Sequence, residues 1–165
     1  MKKKLIILGI VLGVCIVLAG IYCFLTRDQR AVVNTVEKLA ATLHLKSSRL
    51  AHEGVLKHQK IGEFFADRIS LRSVDPEFSL DCTNEGLVQN AAIVFRYVGD
   101  LDVKLADVTA KVAGESATFD CDAEIYSTMK DGKEKMSGVY RVSGSAEKID
   151  GNWKISSIVV DRIVK

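Results

Sequence analysis

Ala117–Lys165 reads ATFDCDAEIYSTMKDGKEKMSGVYRVSGSAEKIDGNWKISSIVVDRIVK. Apolar and polar residues alternate along it, broken at Asp131-Gly132 and Asp150-Gly151. Alternation at period two is the mark of a half-buried strand. An Asp-Gly pair between two such runs is a strong hairpin signal, because the central residues of a tight turn need positive φ. The stretch therefore predicts strands over Ala117–Met129, Lys135–Ile149 and Asn152–Lys165. Upstream, Gly114-Glu115 marks another turn and Leu101–Val112 another alternating run. Together these make a four-stranded antiparallel meander.

Tight turns set register, and register sets faces. Around Asp131-Gly132, Ala123 falls opposite Tyr140 and Asp122 opposite Arg141. Around Asp150-Gly151, Tyr140 falls opposite Asp161 and Val142 opposite Val159. One face then carries Phe119, Cys121, Ala123, Ile125, Tyr140, Val142, Ile155 and Val159, and should receive the helices. The other carries Asp120, Asp122, Glu124 and Arg141. On this second face Val139, Ile158, Val160 and Val164 gather into an apolar strip, the expected interface. Asp161 is expected beside Tyr140 on the apolar face, where a buried carboxylate needs a partner.

Before the meander the pattern turns helical. Val32, Val36 and Ala40 recur at four-residue spacing within Asp28–Leu45. A second helix is expected over Arg49–Ile69, burying Ile61, Phe64, Phe65 and Ile69. Asp75-Pro76 marks a turn and Phe78–Leu80 a short strand. Thr83 is the expected N-cap of a third helix, burying Leu87, Ala91, Val94, Phe95 and Val98 and ending at Gly99-Asp100. About three helices segregated to one face of an antiparallel sheet make an α+β domain.

Ahead of this domain, Leu5–Leu25 reads LIILGIVLGVCIVLAGIYCFL, 21 residues without a charge, and a bilayer core takes about 20. Lys2, Lys3 and Lys4 precede it, which favours a cytoplasmic N-terminus. The run is longer than the apolar core of a signal peptide and lacks a small-x-small end. Neither Cys15 nor Cys23 follows a small residue as a lipoprotein cysteine would. The expected layout is a cytoplasmic tail over 1–4, a transmembrane helix over 5–25 and an extracytoplasmic domain over 26–165. The protein is then a single-pass protein of the cell (inner) membrane.

The net charge of +2 belongs to the N-terminal end. Setting aside Lys2, Lys3, Lys4 and Arg27 leaves 19 of the 23 basic residues against 21 acidic ones. A slightly acidic domain without a basic stripe is a poor match for nucleic acid.

The chain resembles the nuclear transport factor 2-like superfamily, which includes the SnoaL-like proteins. The resemblance covers about residues 28–165. It rests on helices followed by a long-stranded meander, and on the hairpin ending Lys148-Ile149-Asp150-Gly151-Asn152-Trp153-Lys154-Ile155. It implies a cone, in which a curved sheet wraps a long helix and leaves a pocket at one end. Similar domains serve as isomerases, dehydratases, cyclases, ligand carriers and scaffolds, and fold alone does not choose among them. The layout of an anchor plus such a domain also resembles scaffold subunits of bacterial secretion machines.

Chemistry-bearing residues are sparse. His44, His52 and His58 lack the i, i+4 spacing of a helical metal pair. Asp120, Asp122 and Glu124 share a strand face, but calcium takes six to eight oxygens from a folded loop. Cross-strand pairing with Lys111 and Arg141 is expected instead. No metal and no cofactor is expected. Cys82 and Cys121 are an even pair outside the cytoplasm, open to oxidation if their Cα atoms come within about 7 Å. Tyr140 with Asp161 is the one candidate catalytic pair, since a carboxylate in an apolar pocket can trade protons. The first functional expectation is a non-catalytic interaction or scaffold domain, a homodimer or part of a membrane protein complex. The alternative is a small-molecule binder or an isomerase-, dehydratase- or cyclase-like enzyme using the cone.

Overall fold

The computed structural model describes residues 26–45, 59–74, 77–132 and 135–163. The predicted anchor, His52, His58 and Val164 lie outside these. Among the described residues no helix is long and apolar enough to cross a membrane.

Helix α1 covers residues 26–43 and a single helical turn, α2, covers 59–62. Then follow β1 (Phe65–Ser73), β2 (Phe78–Thr83), α3 (Asn84–Tyr97), β3 (Val98–Ala113), β4 (Ser116–Met129), β5 (Lys135–Ile149) and β6 (Asn152–Arg162). The six strands form one sheet in the order β2-β1-β6-β5-β4-β3. All neighbours are antiparallel except β1 and β6.

The C-terminal meander is as expected, with β3 and β4 joined across Gly114 at φ 64 and β5 and β6 across Asp150 and Gly151 at φ 50 and 78. Asp131-Gly132 is not a two-residue turn. Ladder pairing stops at Thr128–Lys135, leaving a longer loop in which Gly132 has φ 69. The register is nonetheless the expected one, with Ala123 opposite Tyr140 and Asp122 opposite Arg141.

The expected second helix is overturned over 65–69, which is strand. Ile61, Phe65 and Ile69 are buried, at the four-residue spacing of a helix face. Residues four apart also share one face of a strand, because strand side chains alternate; where β1 departs from β6 between Phe65 and Ser70 the alternation breaks, with Ala66 buried and Asp67 exposed. Asn84 holds the bend. Its Nδ2 donates to the carbonyls of Gly62, Phe65 and Ala66 at 2.8, 3.0 and 3.3 Å. In a helix those carbonyls would bond the chain's own amides four residues on.

Thr83 caps α3 as its position promised, its Oγ1 accepting from the Gly86 amide at 3.2 Å. The helix stops at Tyr97, and Val98 opens β3. Leu87 is buried and Ala91 and Phe95 are half-buried, but Val94 is 52% exposed, against expectation. Helix α1 lies on one sheet face and packs Val32, Val36 and Leu39 into a core with Phe119, Cys121, Trp153 and Ile155. Full burial of each such aliphatic side chain contributes about 1.5–3 kcal/mol. Small residues at the centre of that face, Ala117, Ala123 and Ala146, give the helix room.

Candidate functional site

The helix-covered face is the wall of the cone, and Tyr140 is buried in it. Its expected partner is not there. Near the Asp150-Gly151 turn β5 and β6 pair as expected, Ala146 with Ile155 and Lys148 with Trp153. Past that point the ladder slips by one, because Ser156 is an extra residue between Ile155 and Ser157. From Ser145–Ser157 onward every β6 side chain is turned to the opposite face. Arg162, not Asp161, therefore stands opposite Tyr140, while Asp161 stands opposite Arg141 and is exposed. The Tyr140–Asp161 pair is not formed.

The same bulge redraws the expected interface. Ile158 and Val160 pair with Gly144 and Val142 on the concave face, and Ile158 packs against the core. Val159 moves to the outer face opposite Ser143. Among the described residues of the expected strip, only Val139, opposite Glu124, keeps its place. The outer face carries Tyr126, Val139, Val159 and Ile163, the last donating its amide to the Val139 carbonyl at 3.0 Å. Arg141 and Asp122 pair among them, Nε to Oδ1 at 3.2 Å.

At the hairpin end of the concave face lies an arrangement the sequence did not disclose. Lys148 Nζ donates to both oxygens of Asp28, at 2.9 and 3.1 Å. Trp153 Nε1 donates to the same carboxylate at 3.4 Å, and Lys148 stands 5.6 Å from the indole centroid. Trp153 and Lys148 face each other because they flank the tight turn. Asp28, 120 positions away from Lys148, has no local signal pointing to either.

The Lys148 hydrogen bond, opposed by burial and aided by Trp153, holds the Asp28 carboxyl below its ordinary range. A depressed folded value means that the clamp stabilises fully above the unfolded value of about 3.9 and that its contribution is lost as pH falls through the folded one. Asp28→Asn should lower the unfolding free energy by about 1–2 kcal/mol at pH 7. The gap between variant and wild type should close on titration below about pH 4. Urea unfolding across pH checks both points, and a gap that persists in acid would contradict the ionic clamp.

The two cysteines are free. Cys82 is on β2 and Cys121 on β4, four strand spacings apart in the sheet, roughly 19 Å along its surface. That is beyond disulfide reach. Burial, with Asp122 and Asp120 nearby, pushes the Cys121 thiol up to about 11, so it is held protonated. His44 Nδ1 lies 2.9 Å from Asp102 Oδ1 beside the bridge that joins Leu45 to Leu101. Among the described residues no cluster of three or more metal-ligating side chains is present. On the outer face, beside the break between β1 and β6, a cavity of about 580 Å³ is lined by Arg68, Ser70, Asp81, Thr83 and Ser156, with Ile69 and Cys82. Next to it the Ser145 hydroxyl bonds those of Ser156 and Ser157 at 3.0 and 2.7 Å.

A curved, mostly antiparallel six-stranded sheet wrapped on a helix is the nuclear transport factor 2-like cone. The SnoaL-like domain model matches residues 65–160, and the chain belongs to that family. Comparison with curated proteins finds no match. Among solved structures, the chain is similar to the Kfla4162 protein of Kribbella flavida, with a TM-score of 0.69, 9% identity, and coverage of 84% of this chain and 93% of that one. It is similar to a candidate aromatic ring hydroxylase of Novosphingobium aromaticivorans, with a TM-score of 0.70, 13% identity and coverage of 85% and 92%. A candidate scytalone dehydratase of the same organism gives 0.66 at 10% identity, with coverage of 82% and 83%. At these identities the likeness is one of fold.

Proposed function

We propose that the chain is a membrane-anchored SnoaL-like domain, held outside the cytoplasm, that works by binding a protein partner and not by catalysis. The chemistry of the concave wall carries this reading. Asp28 is locked by Lys148, the Cys121 thiol is held protonated, and Tyr140 faces an arginine where an acid–base pair would need a carboxylate. Asp28 and Cys121 are thus not free to take a proton from a substrate, and the carboxylate expected beside Tyr140 is not there. The anchor rests on Leu5–Leu25 and its lysine flank. The outer sheet face around Tyr126, Val139, Val159 and Ile163 is the surface offered, and a second copy of the chain is the partner proposed. The full chain in detergent should sediment as a dimer, and Val139→Lys with Val159→Glu should make it monomeric while leaving its thermal unfolding nearly unchanged. A wild-type monomer, or a dimer indifferent to both charges, sinks this reading. Retention of the chain in alkali-washed membranes tests the anchor. Release in soluble form, beginning beyond Cys23, would make the segment a signal peptide.

A second reading has its own support. Arg162 beside Tyr140 offers a cation and a hydroxyl on the concave wall, and neighbours in fold are named as dehydratase or hydroxylase candidates. A small anionic ligand of the cone would then lose affinity on Arg162→Met, and a stabilising ligand that this change leaves untouched would speak against it.

A further inference from the structure

Strands β1 and β6 pair at Phe65–Ile155 and not again until Ser70–Ser157, so residues 66–69 of β1 stand against Ser156 alone. No β1–β6 ladder closes the sheet in between, and the cavity of about 580 Å³ opens at that gap. Its volume is within the range of small-molecule sites, about 300–1,000 Å³. Arg68 stands opposite Thr83 and Ser70 opposite Asp81, so these four side chains share the outer face of the β1–β2 pair. Ile69 and Cys82, opposite each other between them, pack toward the core. Arg68, Thr83 and Ser156 lie at one level of the sheet, Ser70 and Asp81 at the next. Arg68 and Asp81 are thus diagonal on the ladder, at positions about 7–8 Å apart. Opposite charges so placed commonly pair, yet neither forms an ion pair or a hydrogen bond among the described residues. The cavity therefore has an unpaired cation on one strand and an unpaired anion on the next.

We propose that this cavity binds a small zwitterion, a free α-amino acid, with its carboxylate on Arg68 and the Thr83 and Ser156 hydroxyls and its ammonium group on Asp81 and Ser70. The donors are in place for the carboxylate. An arginine offers paired N–H groups that match its two oxygens. Thr83 Oγ1 accepts the Gly86 amide at 3.2 Å, which leaves its own hydrogen to donate. Ser157 Oγ accepts the Ser145 amide at 3.2 Å, and the Ser145 hydroxyl touches those of Ser157 and Ser156 at 2.7 and 3.0 Å. An acceptor in the cavity orders this chain from Ser157 through Ser145 to Ser156 and takes the hydrogen of Ser156. Charge selects the class. The two charges of the lining cancel, so a ligand of zero net charge fits them, and adjacent opposite charges span the diagonal. A phosphate would set its second negative charge against Asp81. Burial, with Asp81 nearby, raises the Cys82 thiol above its ordinary value, so the sulfur in the lining stays neutral. The rest of the volume takes the side chain of the amino acid. The site is on the opposite face of the sheet from Tyr140 and rests neither on the anchor nor on the dimer.

Calorimetric titration of the full chain in detergent tests this, with the common L-amino acids added one at a time and acetate, methylamine and inorganic phosphate as controls. At least one amino acid should bind, and each control should bind at least about tenfold more weakly. Arg68→Met and Asp81→Asn should each weaken that amino acid by roughly ten- to a hundredfold. Asp81→Asn should at the same time strengthen phosphate, because it removes the opposing charge. Both side chains are exposed, so both variants should unfold at the wild-type temperature. A wild-type chain that binds no amino acid, or that prefers phosphate, overturns the proposal. An affinity indifferent to Arg68→Met overturns it too, by placing the ligand elsewhere. Loss on Arg68→Met with indifference to Asp81→Asn would leave a plain carboxylate site and overturn the zwitterion.

Discussion

Gly144→Ala is expected to cost about 3 kcal/mol of folding free energy, the upper end of what overpacking a well-filled core costs. Gly144 sits between Phe119 of β4 and Ile158 of β6 on the concave face. A Cβ there would lie 2.3 Å from the Ser157 carbonyl oxygen and 2.4 Å from Phe119 Cζ. Phe119 is 1% exposed and has nowhere to withdraw. The Ser157 carbonyl belongs to the β5–β6 ladder at the bulge, so moving it disturbs the pairing that sets the face of every later β6 residue. Phe119→Leu on the same background should recover only part of the loss, because it removes the ring clash and not the carbonyl clash. Gly114→Ala is the contrast. Nothing lies within 4 Å of a Cβ there, and only the φ of +64 resists it, at about 1–2 kcal/mol. Urea unfolding followed by circular dichroism ranks the three, and an innocuous Gly144→Ala would show that the strands do not approach as closely as described.

Ile158→Glu and Val159→Glu should differ by more than their neighbouring positions suggest. Ile158 faces Gly144 and packs on the core, so a carboxylate there loses apolar burial and leaves water without a partner. The expected loss is about 3–5 kcal/mol, enough to unfold many domains of this size. Val159 faces outward with Arg72 of β1 as its directly paired neighbour, so the same change should shift stability by about 0.5 kcal/mol or less. Without the Ser156 bulge the order reverses, since Val159 would then point inward and Ile158 outward. Comparing the two urea midpoints therefore tests the bulge directly, and equal effects would remove it.

Much of the cone is legible in local pattern. The β4–β5 register needed only the alternation of Phe119, Cys121 and Ala123 against Tyr140 and Val142, together with a short connection. The Thr83 cap and the Asp150-Gly151 turn follow from side-chain hydrogen bonding and from φ. What misled was geometry that imitates another period. Phe65 and Ile69 share a face at a four-residue spacing that a strand and a helix both produce. Ile158 and Val160 lie on the core side because one serine upstream adds a residue to β6.

By itself the sequence determined the class of domain, the meander and its order, the α3 cap, and the uncharged run ahead of the domain. Each depends on interactions between residues close in the chain, or on a period that no distant contact alters. Tertiary structure alone decided the parallel insertion of β1 between β2 and β6, the face of every β6 residue past Ser156, the replacement of Asp161 by Arg162 beside Tyr140, and the Asp28–Lys148–Trp153 clamp. The physical reason is common to all four. A bulge or a crossover takes its energy from contacts with other elements, here the Asn84 amide on carbonyls 18 to 22 residues away and α1 on the sheet, where Asp28 and Lys148 are 120 residues apart.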